Sequence, residues 1–252
     1  MNAYHNLRLL FAVTAITLLI SAPARASETD ERIEASAKNS YVFKTYLKDD
    51  VVRVASKDGA VTLTGTVAQE EHKALAEETV SGLPGVNSVD NQIEIQNKSP
   101  DQGTDAWLSV KVKAALLFHR SVSAVKTQVY VKDSIVTLQG EASSQAEKDL
   151  AGEYARDIEG IKDVKNEMVV VQAEKQPEEK MGEKMDDASI TAQVKLALLY
   201  HRSTSILHTH IETKEGEVLV TGKAKNQAEK DLVTKLVNDV SGVKKVTNNM
   251  EI

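Results

Sequence analysis

The chain has 252 residues, of which 41% are hydrophobic and 27% are charged, as is usual for globular domains. It contains no cysteine, which excludes disulfide bonds and thiol chemistry. Its formal net charge is −6. This acidic balance argues against a nucleic-acid partner, because binding to phosphate backbones needs a strongly basic surface.

The N-terminal segment has the pattern of a secretory signal peptide. An apolar run, LLFAVTAITLLI at 9–20, follows a short region with one arginine, and Ala24-Arg25-Ala26 is a small-x-small cleavage site. The run is too short to span a bilayer. We therefore expect residues 1–26 to be removed after export, with a retained anchor as the alternative. An exported chain without disulfides fits a bacterial periplasm.

A short phrase that recurs three times shows that the remaining chain is a repeat. VTLTG at 61–65 returns as VTLQG at 136–140 and as VLVTG at 218–222, and each final glycine is followed 20 residues later by another glycine. The six structural glycines are Gly65, Gly85, Gly140, Gly160, Gly222 and Gly242.

The repeats predict three small domains, of which the first is the divergent copy. We place them at 28–96, 101–173 and 186–252, with a charged linker at 174–185. The first carries 13 acidic and 7 basic residues, whereas the third carries 9 of each. Anionic lipid would repel the first repeat, so we expect the second and third repeats to make any membrane contact.

Each repeat begins with an amphipathic helix. The apolar residues follow i, i+4, i+7, i+8, which is one face of a helix. They are Leu108, Val112, Ala115 and Leu116 in repeat two, and Ile190, Val194, Ala197 and Leu198 in repeat three. Asp105 and Asp187 stand near the helix starts, where we expect their carboxylates to cap the free N–H groups.

The remainder of each repeat predicts a hairpin, a second helix and a last strand. In repeat one, alternating residues at 51–55 and 60–64 flank Asp58-Gly59, a pair typical of tight turns with positive φ. Second helices should begin near Gln69, Ser144 and Asn226. The helical crossover should place the last strand parallel to the second. The predicted fold class is therefore α+β, with three tandem α-β-β-α-β domains, each a three-stranded mixed sheet with two helices on one face.

The glycine that ends VTLTG has a structural interpretation. We expect Gly65 to lie where strand two leaves the sheet, because a missing Cβ permits a bend or a close backbone approach. A single glycine does not make the GxGxxG pattern of a phosphate-binding loop.

The last element completes a resemblance to the BON domain family. After V-x-L-x-G and a helix, each repeat has a glycine, a β-branched residue and then x-x-V-x-N. This reads GVNSVDNQI from 85, GIKDVKNEM from 160 and GVKKVTNNM from 242. The resemblance covers nearly all of the chain after the signal peptide. It implies a periplasmic or envelope location, no catalytic activity, and binding to phospholipid membranes or envelope partners.

The histidines form no recurring catalytic or metal-binding set. His208 and His210 could direct two imidazoles to one side of a strand, but no third ligand is evident and the other repeats lack the pair. No catalytic constellation recurs in the three repeats. We therefore expect no enzyme activity, no metal and no cofactor.

A His-Arg pair recurs where the first helix ends, as His119-Arg120 and His201-Arg202. Two interpretations are open. The pair could supply favourable charge beside the free carbonyls of the helix C-terminus, or it could contact an anion or lipid headgroup.

The first helix of repeat two carries a second apolar stripe, formed by Trp107, Val110, Ala114 and Leu117. A helix with excess apolar surface must cover it. The cover could be a neighbouring repeat, a membrane with Trp107 at the headgroup level, or a partner protein. The candidate residues for lipid or partner contact are Trp107, Val110, Lys111, Leu117, Phe118, His119, Arg120, Leu196, Leu199, Tyr200, His201 and Arg202.

Together these patterns predict a non-enzymatic periplasmic protein that binds phospholipid surfaces and serves envelope maintenance or protection against osmotic stress. The alternative is an adaptor that docks envelope proteins through apolar helix faces or exposed sheet edges.

Overall fold

The computed structural model describes residues 28–96, 101–123, 126–171, 185–204 and 209–252. Both the expected signal peptide and nearly all of the charged linker lie outside these ranges. Within them the chain forms three domains, each with its own sheet. We call them domain 1 (28–96), domain 2 (101–171) and domain 3 (185–252). Every helix in these ranges is too short or too polar to cross a bilayer.

The three domains repeat one order of elements. Domain 1 contains α1 (Glu28–Asn39), α2 (Tyr41–Thr45), β1 (Val51–Lys57), β2 (Ala60–Val67), α3 (Glu70–Ser81) and β3 (Ser88–Ile95). Domain 2 contains α4 (Asp105–Leu117), β4 (Thr127–Lys132), β5 (Ile135–Ala142), α5 (Gln145–Arg156), β6 (Asp163–Asn166) and β7 (Val169–Val170). Domain 3 contains α6 (Asp187–Tyr200), β8 (Thr209–Lys214), β9 (Glu217–Gly222), α7 (Gln227–Asn238) and β10 (Lys245–Asn248). The predicted α+β class with three tandem domains is confirmed.

The middle strand of each sheet pairs antiparallel with the first strand and parallel with the last. In domain 1, Leu63 lies opposite Val54 on one side and opposite Asn91 on the other. Alternate residues of β2, including Val61 and Leu63, are buried, as a sheet covered on one face requires. The predicted parallel placement of the last strand is confirmed.

The first helix of domain 1 is interrupted, unlike the single helix that the repeat pattern predicts. Ser40 has an extended backbone and separates α1 from α2. Its hydroxyl donates to the carbonyl of Ala37 at 2.8 Å and accepts the N–H of Phe43 at 3.4 Å. Because serine bonds both to the end of one helix and to the start of the next, the chain changes direction here. The new direction brings α2 against domain 3.

The hairpin turns are held by an aspartate from the first helix. Asp58 and Gly59 have φ values of 53° and 78°, as a type I′ turn requires. The carboxylate of Asp30 accepts the N–H groups of both residues, each at 3.0 Å. The hairpin of domain 1 is therefore bonded directly to α1.

The same arrangement in domains 2 and 3 corrects the expected helix caps. Asp105 accepts the N–H groups of Asp133 and Ser134, at 2.7 and 2.9 Å. Asp187 likewise accepts those of Glu215 and Gly216, at 2.7 and 2.8 Å. The helix caps are instead Thr104 and Asp186, one residue earlier. The carboxylates thus serve a contact across the domain rather than the first turn of their own helix.

Replacing Asp105 with alanine is expected to destabilise domain 2 by about 2 kcal/mol, because two N–H groups of a strained turn lose a charged acceptor. Urea denaturation followed by amide NMR signals of domain 2 measures this. The matched control is Asp101→Ala, which removes an exposed acid just before the same helix. Equal effects of the two changes would contradict the assigned role.

The glycine of the repeated phrase permits close backbone contact inside the strand. Gly65 has φ 118°, and a Cβ added there would lie 1.9 Å from the carbonyl oxygen of Val51. A Cβ on Gly140 would lie 2.0 Å from the carbonyl oxygen of Lys126. The expected close approach is therefore confirmed. The expected exit from the sheet is wrong, because β2 continues to Val67.

The repeated asparagine of the last element is also structural. Asn91 donates through Nδ2 to the carbonyl of Lys73 in α3 at 3.1 Å, and its Oδ1 accepts the N–H of Ile93 at 3.2 Å. Asn166 and Asn248 bond to the second helix of their own domains in the same way. This residue of the repeat motif therefore fixes the last strand against a helix.

Candidate functional site

Helix α6 lies at the centre of the molecule. Nearly all of its residues from Ala188 to Leu198 are buried, although a single small domain can cover only one face of its first helix. Domain 1 covers the rest, chiefly by packing α3 against α6. The sequence left three possibilities for what covers the excess apolar surface of a first helix. For α6, the structure shows that a neighbouring repeat covers it.

Polar contacts fix the register between domain 1 and α6. The N–H of Tyr41 donates to Asp186 Oδ2 at 2.7 Å, and the N–H of Val42 donates to Ser189 Oγ at 3.1 Å. These two donors are unpaired groups at the start of α2, and domain 3 supplies their acceptors. An ion pair of 2.7 Å between Lys195 Nζ and Glu78 Oε2 lies at the edge.

Phe118, at the end of α4, joins all three domains. It is fully buried in an apolar cluster whose other members belong to domains 1 and 3. Its ring contacts the edge of Tyr46 in domain 1, with 6.2 Å between ring centroids. A residue of domain 2 thus completes the core between the other two domains.

Domains 2 and 3 meet through a contact that is nearly symmetric. The segment after α4 pairs with the end of α7, and the segment after α6 pairs with the end of α5. The N–H of Arg120 donates to the carbonyl of Asp239 at 2.9 Å, and that of Arg202 donates to the carbonyl of Asp157 at 3.0 Å. Because each residue has its counterpart 82 positions later, the repeats form a pseudo-twofold pair.

Two histidines lie on this pseudo-twofold axis. His119 Nε2 and His201 Nε2 are 3.0 Å apart. On the far side of each ring, His201 Nδ1 lies 2.9 Å from Asp157 Oδ2 and His119 Nδ1 lies 3.2 Å from Asp239 Oδ2. The side chains of the histidines are 0% and 1% exposed. We call the four residues Asp157, His201, His119 and Asp239 the Asp-His-His-Asp row.

Neighbouring side chains complete the row. Tyr154 stacks on His119 with 3.9 Å between ring centroids, and its hydroxyl donates to Asp239 Oδ2 at 2.7 Å. Ser121 and Ser203 donate through their hydroxyls to Asp239 and Asp157, respectively. Each aspartate thus accepts bonds from the opposite domain, which makes the row the polar centre of the interface.

Burial shapes the acid–base behaviour of the row. It lowers the pKa of His119, although the nearby Asp239 acts in the opposite sense. Burial alone would raise the pKa of Asp239, but His119, Ser121 and Tyr154 outweigh it and hold that pKa below its usual value. His119 therefore resists protonation while its neighbouring carboxylate stays ionised.

The structure divides the predicted contact residues into two groups. Four are buried between domains and do not face solvent: Phe118, His119, Leu196 and His201. The others are half-buried or exposed: Trp107, Val110, Lys111, Leu117, Arg120, Leu199, Tyr200 and Arg202. The buried histidines are not the solvent-facing helix-end charges or headgroup ligands that the sequence suggested. Arg120 and Arg202 lie 3.9 and 3.6 Å from the aspartates of the row.

The accessible part of the predicted surface lies along α4. Lys111 Nζ sits 4.4 Å from the centre of the Trp107 ring, a cation–π contact. Val110 is half-buried beside them, and Leu199 in domain 3 is 54% exposed. The Trp107–Lys111 patch, formed by Trp107, Val110 and Lys111, joins a large aromatic ring to a cation.

Sequence reasoning missed the interface residues Asp157, Asp239 and Tyr154. The sequence did contain a signal for the two aspartates. They occupy the same position of the repeat, in DIEG at 157–160 and in DVSG at 239–242. The first repeat has Gly82 there, and it likewise lacks the histidine. A charged residue shared only by the two repeats that also share a histidine suggests a pairing between those repeats.

No group of three or more His, Asp or Glu side chains with metal-binding geometry occurs in the described ranges. His208 lies outside those ranges, so the suggested pair with His210 is not described.

The three repeats match a known protein family. The BON domain family matches residues 29–97, 104–172 and 186–252. Osmotically-inducible protein Y of Escherichia coli (strain K12) is 29% identical over 192 residues, which are 76% of this chain and 92% of that protein. Outer membrane lipoprotein DolP of Haemophilus influenzae is 28% identical over 138 residues, which are 54% of this chain and 71% of that protein. Each of the three sheets and its helices coincides with one matched segment, and the chain therefore belongs to the BON domain family.

Proposed function

We propose that this protein is a non-enzymatic component of the bacterial envelope that is exported to the periplasm and contacts phospholipid surfaces through domain 2. The observation that carries the proposal is the Trp107–Lys111 patch, where an aromatic ring and a cation lie together, each half-buried, on a helix whose core stripe is buried. Two similar proteins, by name an osmotically inducible protein and an outer membrane lipoprotein, support an envelope role, including protection under osmotic stress.

The chemistry of the patch suits the boundary between lipid headgroups and acyl chains. Tryptophan prefers that boundary because its ring is apolar and its N–H is polar. Lys111 beside it can meet a phosphate, which contributes about 1 kcal/mol at an anionic surface. The acidic domain 1 is repelled by such a surface, which leaves domains 2 and 3 for the contact, and the Trp107–Lys111 patch assigns it to domain 2.

A second candidate function rests on a different surface. Val169, Val170 and Val171 are 62%, 36% and 42% exposed at the outer edge of the domain 2 sheet, where β7 pairs with β5 alone. An apolar sheet edge can accept a strand from another protein. An adaptor role through this edge is the alternative to membrane contact.

Replacing Trp107 with serine is expected to weaken binding to vesicles of phosphatidylglycerol and phosphatidylethanolamine about tenfold, because the ring is the main apolar group of the patch. Co-sedimentation at two salt concentrations measures the affinity. Binding should also weaken as salt rises, because screening reduces the lysine contribution.

Tyr130→Ser is the matched control, since it removes a 54% exposed aromatic residue from the opposite side of the domain. It should leave vesicle affinity unchanged. Equal loss in both variants, or full affinity in folded Trp107→Ser protein, would refute the patch. Absence of vesicle binding by the unaltered protein would favour the adaptor role, which crosslinking at Val169 then tests.

A further inference from the structure

The Asp-His-His-Asp row joins domains 2 and 3 through three consecutive contacts between hydrogen-bonding atoms. They link Asp157 to His201, His201 to His119, and His119 to Asp239, at 2.9, 3.0 and 3.2 Å. Each contact can be a hydrogen bond only when it holds one proton. The number of protons on the row therefore decides whether the interface is bonded.

Two neutral histidines supply two protons for these three contacts. His201 Nδ1–H donates to Asp157, so His201 Nε2 is an acceptor and His119 Nε2–H must be the donor. This leaves His119 Nδ1 without a proton. In agreement, that atom is buried and makes no aligned hydrogen bond, although a carboxylate oxygen lies 3.2 Å away.

While domains 2 and 3 stay in contact, the row can accept one further proton and no more. A proton on His119 Nδ1 would complete the contact with Asp239. When both rings are cationic, however, two N–H groups point at each other across 3.0 Å, and the bond between the histidines becomes a repulsion of like charges. The closed interface therefore binds fewer protons than two separated histidines do.

Among the described residues, the titratable and charged groups that face the two histidines are two aspartates, two arginines and a tyrosine. Asp157 and Asp239 directly follow α5 and α7. Arg120 and Arg202 flank these carboxylates, and Tyr154 of α5 covers the His119 ring. The two arginines balance the two aspartates, so the described part of the chain offers no further anion at the row to stabilise a second imidazolium.

We propose that the Asp-His-His-Asp row is an acid-sensitive latch that holds domains 2 and 3 together near neutral pH and releases them when both histidines are protonated. The latch goes beyond the proposed membrane contact and does not depend on it. Its release withdraws Phe118 from the cluster that it shares with domains 1 and 3, so acid would expose an apolar helix end that is covered at neutral pH.

The direction in which pH shifts the contact between domains 2 and 3 follows from proton linkage. Two separated histidines each bind a proton as the pH falls through about 6.5, whereas the closed row has room for only one further proton, and burial lowers the pKa of His119 within it. Closure is therefore favoured above about pH 6.5 and is lost as the pH falls. Asp157 and Asp239 do not titrate in this window, because their pKa values lie below the usual aspartate value.

Distance measurement between spin labels tests the latch. The chain has no cysteine, so Lys132→Cys and Lys214→Cys place one label on each hairpin, at exposed and equivalent positions. At pH 7.5 the distribution should be narrow. Between pH 6.5 and 5.0 a second, longer population should appear, and its ratio to the first should rise about tenfold or more per pH unit.

The double variant His119→Gln with His201→Gln carries no titratable ring and should give the same distribution at both pH values. His210→Gln removes a 69% exposed imidazole and should behave like the unaltered protein. If domains 2 and 3 are already separated at pH 7.5 in the double variant, the single variant His201→Gln decides. With one titratable ring left, its open population should rise less steeply as the pH falls.

Three results would overturn the latch. One is a distribution that does not change from pH 7.5 to 5.0, and another is an identical acid response in the glutamine variant. The third is tightening of the closed state by micromolar Zn²⁺ at pH 7.5 with reversal by a chelator, which would assign the histidine pair to a metal ion instead of a proton.

Discussion

Gly65→Ala is expected to destabilise domain 1 by about 4 kcal/mol, although it adds only one methyl group. Two costs combine in this estimate. A φ of 118° disfavours any residue with a Cβ by about 1–3 kcal/mol. The new Cβ would also lie 1.9 Å from the carbonyl oxygen of Val51, so β1 must shift away from β2, which costs roughly another 1–3 kcal/mol.

A domain of this size has little stability to lose, because small domains bury a small fraction of their surface. Amide hydrogen exchange should show loss of protection in β1 and β2, while domain 2 keeps its own protected core. Gly103→Ala is the matched control, since Gly103 has φ 80° but no atom within 4 Å of an added Cβ. The difference in free energy of unfolding between the two variants gives the cost of the clash with Val51. Equal destabilisation would mean that the close backbone contact is unimportant.

Asp239→Ala is expected to weaken the contact between domains 2 and 3 by about 3 kcal/mol. The carboxylate accepts bonds from Ser121 and Tyr154, and it lies beside the buried His119. Its removal leaves these polar groups in the interface without an acceptor, which costs more than the net strength of the bonds themselves. The label distances described above should then show separated domains even at pH 7.5.

Asp231→Ala removes an exposed carboxylate from the same helix and should leave the distances unchanged. Domain 3 should stay folded in both variants, because Asp239 lies outside its apolar core and the backbone of α7 is intact. Unaltered distances in Asp239→Ala would show that the apolar contacts around Phe118 hold the domains together without the row.

The elements within each domain could be predicted because their causes are local. The i, i+4, i+7 stripe beginning at Leu108 requires a helix, and Asp58-Gly59 requires a tight turn, whatever surrounds them. The crossover through a helix also leaves one parallel arrangement for the last strand. Errors arose where a short-range contact competed with a distant one, as when Asp105 bonded to a turn 28 residues away instead of its own helix.

Local patterns in the chain are enough to specify three copies of one α+β fold, the glycines that fit it, and the absence of thiol chemistry. The contacts of the surplus apolar and charged residues depend instead on how the three domains pack together. His119 and His201 have the same sequence pattern whether they face solvent or each other, because hydrophobic periodicity reports burial within one domain and says nothing about docking between domains. Packing of the domains buried the histidines and Phe118, covered α6, and left Trp107 half-buried at the surface.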